Sequence, residues 1–177
     1  MYIGDSLGAN RPGRSTSEKI IGNNLDQLIR ETKSRMVIAT FASNVGRMIQ
    51  VINSAIKYNK VVFLSGRSMV NNVEICQELG YINVPKGYIR KLTAEVETLP
   101  DERVLILSTG AQGEEFAGLT RMARGEHPMI QLRKGDTVLM SATAIPGNEI
   151  AVSSMINELI IKGVNVITRD DIDIHAS

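Results

Sequence analysis

The sequence contains few of the residues that build disulfide bonds and zinc sites. Among its 177 residues are one cysteine, Cys76, and two histidines, His127 and His175. A single cysteine excludes an internal disulfide and is typical of a reducing compartment. One thiolate and two well-separated imidazoles are also too small a set for a zinc cage. Cys76 is predicted to lie on the buried face of a helix, and any metal ion would need ligands from outside this chain.

Long apolar runs and a strong charge of one sign are missing as well. No run approaches the roughly 18 residues that a membrane span needs, and the N-terminus has neither the basic start nor the apolar stretch of a secretion signal. We therefore expect a cytoplasmic protein without membrane contacts. The formal net charge is only +1, which excludes a global basic field and leaves local contacts as the route to a nucleic acid.

Five short, nearly continuous apolar runs alternate with helical patterns. The predicted strands are residues 36–41, 61–65, 104–109, 137–142 and 164–168. The predicted helices are residues 17–33, 45–58, 69–79, 92–98, 114–124 and 148–162. Continuous apolar strands are typical of a parallel sheet that is covered on both faces. We predict one domain over residues 1–177 with an α/β fold, a three-layer, doubly wound, mainly parallel sheet of about five strands with helices on both faces.

Capping signals set the ends of several predicted helices. Gly80 and Gly163 follow helical patterns and are predicted to stop them, and Asn148 is a predicted N-cap. Ser15 and Glu18 have the spacing of a capping box, with Ser15 as the N-cap. The linker GYINVPKGYIRKLTAEVETLPDER, residues 80–103, is the least regular part of the sequence, and its Pro85 and Gly87 predict a loop before a short helix.

The predicted strand exits are small and polar, and ligands of such sheets gather at the carboxyl ends of the strands. Four exits read TFASNVGR, LSGRSMVNN, STGAQGEE and SATAIPGNE. Small residues allow close backbone approach, and helix N-termini present N–H groups with a positive dipole end, so these turns are candidates for holding phosphate groups. Turn geometry alone explains any single loop of this kind, but four at one edge favour a ligand site.

Specific residues in these exits are the candidate binding groups. They are Ser43, Asn44, Arg47, Gly66, Arg67, Ser68, Gly110, Gln112 and Gly113. A guanidinium binds phosphate through two hydrogen bonds, which favours Arg67, whereas a surface position or a salt bridge explains Arg47 equally well. Ser43, Asn44 and Gln112 are expected to orient a ligand, since no His–Asp partner is placed to activate a serine.

Two other features carry less weight. Neither the dinucleotide fingerprint GxGxxG nor a P-loop occurs, which disfavours a P-loop enzyme. His127 follows a helix in a loop before Pro128, and we predict that it is solvent-exposed and has no role.

Six segments together resemble the β-CASP domain of ribonuclease J, in the right order along nearly the whole chain. They are GDSLGANRPGRSTSEK, MVIATFASNVGRMIQVINSAIKYNK, VVFLSGRSMVNNVEICQELGYI, ILSTGAQGEEFAGLTRMARGEH, GDTVLMSATAIPGNE and DIDIHAS. The resemblance implies a parent enzyme that is a metal-dependent 5′–3′ exoribonuclease and endoribonuclease of RNA decay and maturation. In such a parent, a metallo-β-lactamase domain would hold two divalent ions, zinc by expectation. This chain would clamp single-stranded RNA against that domain, bind no metal and be inactive alone, and the parent would be a homo-oligomer.

The resemblance also assigns residues near both termini. Asp5 in GDS matches an acidic residue that supports a catalytic histidine, and that histidine is absent here. His175 and Ser177 match the first His and the Ser of the family segment DIHxSGH, whose Gly and second His are absent. With Ser43, Asn44, Arg67 and Ser68, these two residues are the expected RNA phosphate contacts. The sequence SLGAN departs from the Thr-Asn that usually follows the Asp-Ser pair, so the contacts of that loop stay open.

Two other interpretations are compatible with the residues. The chain could be a stand-alone α/β module that binds a phosphate ligand or a nucleotide at its strand ends. A weaker alternative is an assembly surface on the helix SSMINELII, which burial in the core explains more simply.

Overall fold

The fold is an alternation of strands and helices, seen in a computed structural model that describes residues 16–115, 117–142 and 144–174. The strands are β1 (Met36–Ala39), β2 (Val61–Ser65), β3 (Ile89–Lys91), β4 (Val104–Ser108), β5 (Thr137–Met140) and β6 (Asn165–Ile167). The helices are α1 (Glu18–Glu31), α2 (Val45–Lys57), α3 (Arg67–Glu78), α4 (Gly118–Arg124) and α5 (Glu149–Ile161). Two short 3₁₀ turns, Ala94–Thr98 and Asp101–Arg103, precede β4.

The six strands form one sheet in the order β3-β2-β4-β1-β5-β6. Every neighbouring pair is parallel. The predicted α/β fold with a parallel sheet between two helical layers is therefore confirmed, with one strand more than expected.

Side chains of the central strands alternate between two cores. Val37 and Ile106 belong to the core under α4 and α5, whereas Ile38 and Leu107 belong to the core under α1, α2 and α3. All residues of β1, β2, β4 and β5 are buried, which is why these strands appear in the sequence as continuous apolar runs. Cys76 is 4% exposed within the second core, as its place in the helical pattern predicted.

The segment before β4 differs from its prediction. We expected a loop at Pro85 and Gly87 that leads into a short helix at residues 92–98, but Ile89–Lys91 is an edge strand that pairs with β2. Only one of its three residues is apolar and none is fully buried, so the sequence has no apolar run there. The helical pattern that follows forms a 3₁₀ turn, Ala94–Thr98. The predicted helix over residues 114–124 begins later, at Gly118.

The capping predictions are confirmed at three ends and wrong at one. Gly80 and Gly163 have positive φ angles of 76° and 75° directly after helices, a conformation that favours glycine at helix C-termini. Asn148 occupies the N-cap position of α5. The N-cap of α1 is Ser17 rather than Ser15, because the Ser17 Oγ accepts a hydrogen bond from the Ile20 N–H at 3.4 Å.

A buried ion pair lies at the amino edge of the sheet, just before β1 and β5. Arg35 donates from Nε and Nη2 to the two carboxylate oxygens of Asp136, at 2.9 and 2.6 Å. The two side chains are 1% and 2% exposed. Arg35 also donates to Glu97 at 2.6 Å and to the Gln131 carbonyl at 2.9 Å. This pair therefore links the beginnings of two neighbouring strands to the segments beside them.

Candidate functional site

The exits of β2, β4, β1 and β5 lie side by side at the carboxyl edge of the sheet, because these strands are neighbours in that order. From β1 the chain continues into α2, which packs on one face, and from β4 it continues into α4, which packs on the other. The helices that follow these two adjacent strands therefore lie on opposite faces of the sheet. In open α/β sheets such a switch point is where ligands bind, and this edge is the candidate functional site.

The β2 exit presents two exposed polar side chains at the start of a helix. Arg67 and Ser68 are exposed and form the first turn of α3. The N-cap of this helix is Gly66, which has no side chain to cap it, and the first turn carries no acidic residue. The N-terminal N–H groups and positive dipole end of α3 therefore lie beside a guanidinium and a hydroxyl, which is a favourable setting for an anion.

Both the backbone conformation at position 66 and the nearby Thr109 side chain require a glycine there. Its φ angle is +103°, and a Cβ atom there would lie 2.6 Å from the Thr109 Oγ1 of the β4 exit. The Thr109 N–H also donates to the Ser65 carbonyl at 3.4 Å. The β2 and β4 exits thus pack directly against each other, so Gly66 shapes the site.

Asn44 caps α2 and is half-buried. Its Oδ1 accepts a hydrogen bond from the Arg47 N–H at 3.1 Å, so this oxygen serves the helix. Ser43, directly before it, is exposed at the same edge. Asn72 of α3, which the sequence analysis did not single out, donates from Nδ2 to the Ala42 carbonyl at 2.7 Å and joins the β1 exit to α3.

Arg47 lies inside the protein, with 1% of its side chain exposed. Its Nη2 donates to the Glu18 carboxylate at 3.0 and 3.2 Å, and its Nη1 donates to the Ile174 carbonyl at 2.7 Å. Burial lowers the pKa of the guanidinium, and Glu18 opposes this shift. The surroundings of Arg47 thus correspond to the alternative in which it forms a salt bridge. Arg47 is not among the exposed groups at this edge.

The three candidates of the β4 exit mainly hold loops together. A Cβ atom on Gly110 would lie 2.8 Å from the Ala117 Cβ, and one on Gly113 would lie 2.8 Å from the Ala151 carbonyl carbon. Gln112 is 3% exposed, and its Oε1 accepts a hydrogen bond from the Ile145 N–H at 2.8 Å. Gly113 and Gln112 thus join the β4 exit to α5 and to the β5 exit, whereas Gly110 packs against the beginning of α4.

His127 is half-buried, so the prediction that it is solvent-exposed was wrong. Its Nε2 lies 3.2 Å from the Ser65 Oγ, and its Nδ1 accepts a hydrogen bond from the Met129 N–H at 3.3 Å. With Nδ1 accepting, the neutral ring donates from Nε2. Burial, with a smaller contribution from Arg121, lowers the pKa of His127. Only tertiary packing brings this ring to the end of β2, so no local sequence pattern could have predicted its place.

Three predicted residues, Asp5, His175 and Ser177, lie outside the described residues. Their proposed roles stay predictions. The carbonyls of Asp173 and Ile174, the last described residues, accept hydrogen bonds from the side chains of Asn24, Arg47 and Ser141.

Within residues 16–115, 117–142 and 144–174, no group of three or more His, Cys, Asp or Glu side chains is arranged to hold a metal ion. Among the helices of the same residues, none is long and apolar enough to span a membrane.

Comparison with known proteins shows the family of this chain. The family model described as Ribonuclease J, beta-CASP domain matches residues 33–159. Ribonuclease J of Mycolicibacterium smegmatis is 42% identical over 177 residues, covering 100% of this chain and 32% of that protein. Ribonuclease J of Synechocystis is 42% identical over 175 residues, covering 99% of this chain and 27% of the relative. Ribonuclease J of Helicobacter pylori strain B128 is 41% identical over 178 residues, covering 100% of this chain and 26% of the relative.

The chain therefore spans about a third or less of the length of these curated relatives. The matched region begins just after α1, runs almost to the end of α5 and includes the exits of β1, β2, β4 and β5. The chain belongs to the β-CASP domain family of ribonuclease J.

Proposed function

We propose that this chain clamps single-stranded RNA against the catalytic metallo-β-lactamase domain of a ribonuclease J-like parent enzyme. The parent would be a metal-dependent nuclease with 5′–3′ exonuclease and endonuclease activity in the cytoplasm, acting in RNA decay and maturation as a homo-oligomer. The clamp would contact the sugar-phosphate chain rather than read bases, because strand-end amides and a few polar side chains recognise shape and charge.

The observation that carries this proposal is the group formed by Arg67 and Ser68 at the beginning of α3. Both side chains are exposed, next to backbone N–H groups that no side chain caps and no acidic residue of the first turn neutralises. Arg67 can bind a phosphate oxygen pair with its fork of donors, and Ser68 can donate a further hydrogen bond. The exposed Ser43 of the β1 exit lies at the same edge of the sheet.

The chemistry of cleavage is assigned to the rest of the parent chain. The described residues offer no cluster of metal ligands, so they do not fit the two divalent ions, zinc by expectation, that the family resemblance implies. The part assigned to this chain is to bind and orient the RNA backbone.

The test is a salt series of RNA binding. A fluorescent, 5′-monophosphorylated single-stranded oligonucleotide is titrated with the wild-type chain and with Arg67→Ala, and anisotropy gives Kd at several salt concentrations. Because one phosphate contact on a single strand contributes about 0.7 to the slope of log K against log salt, we expect Arg67→Ala to bind more weakly and with a slope shallower by about that amount.

Arg30→Ala is the matched control. Arg30 is also an exposed arginine, with 56% of its side chain accessible, but it lies in the last turn of α1 at the opposite edge of the sheet. Its replacement removes the same charge and should leave the slope close to wild type. An unchanged slope in Arg67→Ala, or an equal change in Arg30→Ala, would contradict the clamp. Equal affinity for a mononucleotide and for the oligonucleotide would favour the stand-alone module instead.

A further inference from the structure

The backbone carbonyls of the last described residues accept hydrogen bonds from side chains in three separate parts of the fold. Asn24 of α1 donates from Nδ2 to the Asp173 carbonyl at 2.8 Å. Arg47 of α2 donates from Nη1 to the Ile174 carbonyl at 2.7 Å. Ser141, directly after β5, donates from Oγ to the same Ile174 carbonyl at 2.7 Å. The Ile174 side chain itself is fully buried in the core under α1, α2 and α3.

These contacts place Ile174 at the candidate site. Arg47 lies in the first turn of α2, after the β1 exit, and Ser141 is the first residue of the β5 exit. The two strands are neighbours in the sheet. The backbone of Ile174 is therefore held between two exits of the carboxyl edge, one residue before His175.

A need for stability alone does not explain a buried arginine at this position. Removing a guanidinium from water is costly, and well-packed apolar residues often replace a buried ion pair without loss of stability. The Glu18 partner of Arg47 is exposed, with 58% of its side chain accessible. The Arg47 Nε is buried and has no hydrogen-bond partner among the described residues. What the arginine provides and an apolar residue cannot is a directed bond to the Ile174 carbonyl.

We infer that Arg47 is a positioning residue, which acts with Ser141 to fix the backbone of Ile174 between the β1 and β5 exits, at the edge proposed to bind RNA. The inference rests on the proposed function for its consequence, because this edge of the sheet is the proposed RNA-binding surface. Its structural part, the fixing of residues 173–174, stands without RNA. Arg47 thus changes from a predicted phosphate ligand into a support for the backbone at this edge.

The bonds from Arg47 and Ser141 to the Ile174 carbonyl are called the anchor below. Mild substitutions test the anchor while the fold is kept. Arg47→Lys retains the charge but has a single ammonium, which cannot reproduce the forked bonds to Glu18 and to the Ile174 carbonyl. Ser141→Ala removes one donor to that carbonyl and the hydroxyl that accepts a long hydrogen bond from the Arg47 Nη1 at 3.4 Å. Asn72→Ala is the matched control, because it removes a side-chain bond to a different backbone carbonyl of the same edge, that of Ala42. Urea unfolding confirms that each variant is folded before further measurements.

The first readout is amide hydrogen exchange of residues 172–174. Arg47→Lys and Ser141→Ala should each speed exchange there by at least tenfold relative to wild type, whereas Asn72→Ala should leave it unchanged. Unchanged exchange in the two anchor variants would overturn the inference. This readout needs no RNA, so it judges the anchor even if the wild-type chain fails to bind the oligonucleotide and the proposed function is wrong.

The second readout is the salt series with the 5′-monophosphorylated oligonucleotide. A positioning role predicts a several-fold loss of affinity in both anchor variants with a salt slope like that of wild type, since Arg47 itself contacts no phosphate. A shallower slope in Arg47→Met, in which the charge is lost, would instead identify a direct phosphate contact and overturn the positioning role. Faster exchange with unchanged affinity would separate the anchor from RNA binding and overturn the link between them.

Discussion

At the scale of single residues, Gly118 shows how a missing side chain lets a helix reach the strand ends. A Cβ atom at Gly118 would lie 2.7 Å from the Ser65 Oγ and would also collide with the Ser108 Oγ. Ser65 and Ser108 are the last residues of β2 and β4, and both are buried. Only a glycine therefore allows α4 to begin directly against these two strands.

Gly118→Ala should destabilise the fold, because the added methyl group has to displace buried hydroxyls or the helix itself. We expect a loss of about 1–3 kcal/mol in the free energy of unfolding, measured by urea denaturation. Gly46→Ala is the matched control, since it also adds a methyl group in the first turn of a helix but meets nothing closer than the Asn44 Oδ1 at 3.9 Å. It should be neutral or stabilise by up to about 1 kcal/mol. Equal losses in both variants would contradict the steric argument.

His127 should make stability depend on pH. Burial and Arg121 lower its pKa from the ordinary 6.5, so the unfolded chain takes up a proton at a higher pH than the folded chain does. The stability from the neutral imidazole is therefore present above about pH 6.5 and is lost as the pH falls through the lowered folded-state pKa.

His127→Gln measures this effect. The variant retains a hydrogen-bonding group but does not titrate, so the advantage of the wild type in unfolding free energy should shrink between pH 7.5 and pH 5. Urea denaturation at both pH values gives the two differences. A difference that is the same at both pH values would show that His127 does not titrate as described.

Predictions from the sequence were least successful for the contacts of single residues. It placed Asn44, Arg47 and Gln112 correctly at the strand exits, because small polar residues after apolar runs mark those exits. It could not tell that Asn44 caps a helix, that Gln112 bonds to the β5 exit or that Arg47 is buried, because each partner is distant in sequence or depends on the exact backbone conformation.

At the scale of elements, the ion pair between Arg35 and Asp136 joins the beginnings of β1 and β5. Asp136 accepts from Arg35 and also from the Arg133 N–H, at 2.9 Å. Arg35→Met should cost about 3–5 kcal/mol in the free energy of unfolding, since it leaves a buried carboxylate without its cation. Urea denaturation near neutral pH measures this loss.

The double variant Arg35→Met/Asp136→Leu separates the effect of an unpaired buried charge from the effect of lost packing. It removes both charges and fills the space with apolar side chains, so it should recover most of the stability lost in Arg35→Met. If the double variant is as unstable as the single one, the apolar pair does not pack, and the cost would then come from lost packing rather than from an unpaired charge.

Elements were predictable where burial was complete. The four fully buried strands were located from apolar runs alone, and the longer helices from periodicity and caps. Ile89–Lys91 was missed because an edge strand covered on one side needs few apolar residues. The late start of α4 was missed because residues 114–117 continue the helical pattern in sequence, whereas the close approach at Gly118 depends on strands that no local window contains.

At the scale of the whole molecule, we predict that the chain alone does not hydrolyse RNA. The described residues contain no cluster of metal ligands, and a nuclease of the proposed type needs bound metal to activate water. Incubation of a labelled single-stranded RNA with purified chain and added Zn²⁺ or Mn²⁺ should give no products on a denaturing gel above the level of a buffer blank.

A preparation of the Arg67→Ala variant is the control for contaminating nuclease. Cleavage that is equal in both preparations would come from a contaminant. Cleavage by the wild-type chain that depends on metal and falls in the variant would contradict the prediction and would mean that this chain contains its own reaction centre.

Fold class was predictable at this scale, whereas strand order was not. Alternating apolar runs and helices are sufficient to predict a parallel sheet with helices on both faces. Nothing in the local pattern determines that β4 inserts between β2 and β1, because that choice depends on the fit of whole helical layers. The residues that meet at the switch point therefore became known only from the structure.

The position of β1 has a consequence for how the protein is made. Its two partners are β4 and β5, so Met36 pairs with Leu105 and with Thr137. On a ribosome that synthesises from the N-terminus, β1 has neither neighbour until β4 (Val104–Ser108) has emerged, and it has its second neighbour only after β5 (Thr137–Met140) has followed. Such distant pairings slow folding and leave strand edges exposed to aggregation in the meantime. The nascent chain should therefore acquire protease resistance late, only after the segment that forms β5 has left the exit tunnel.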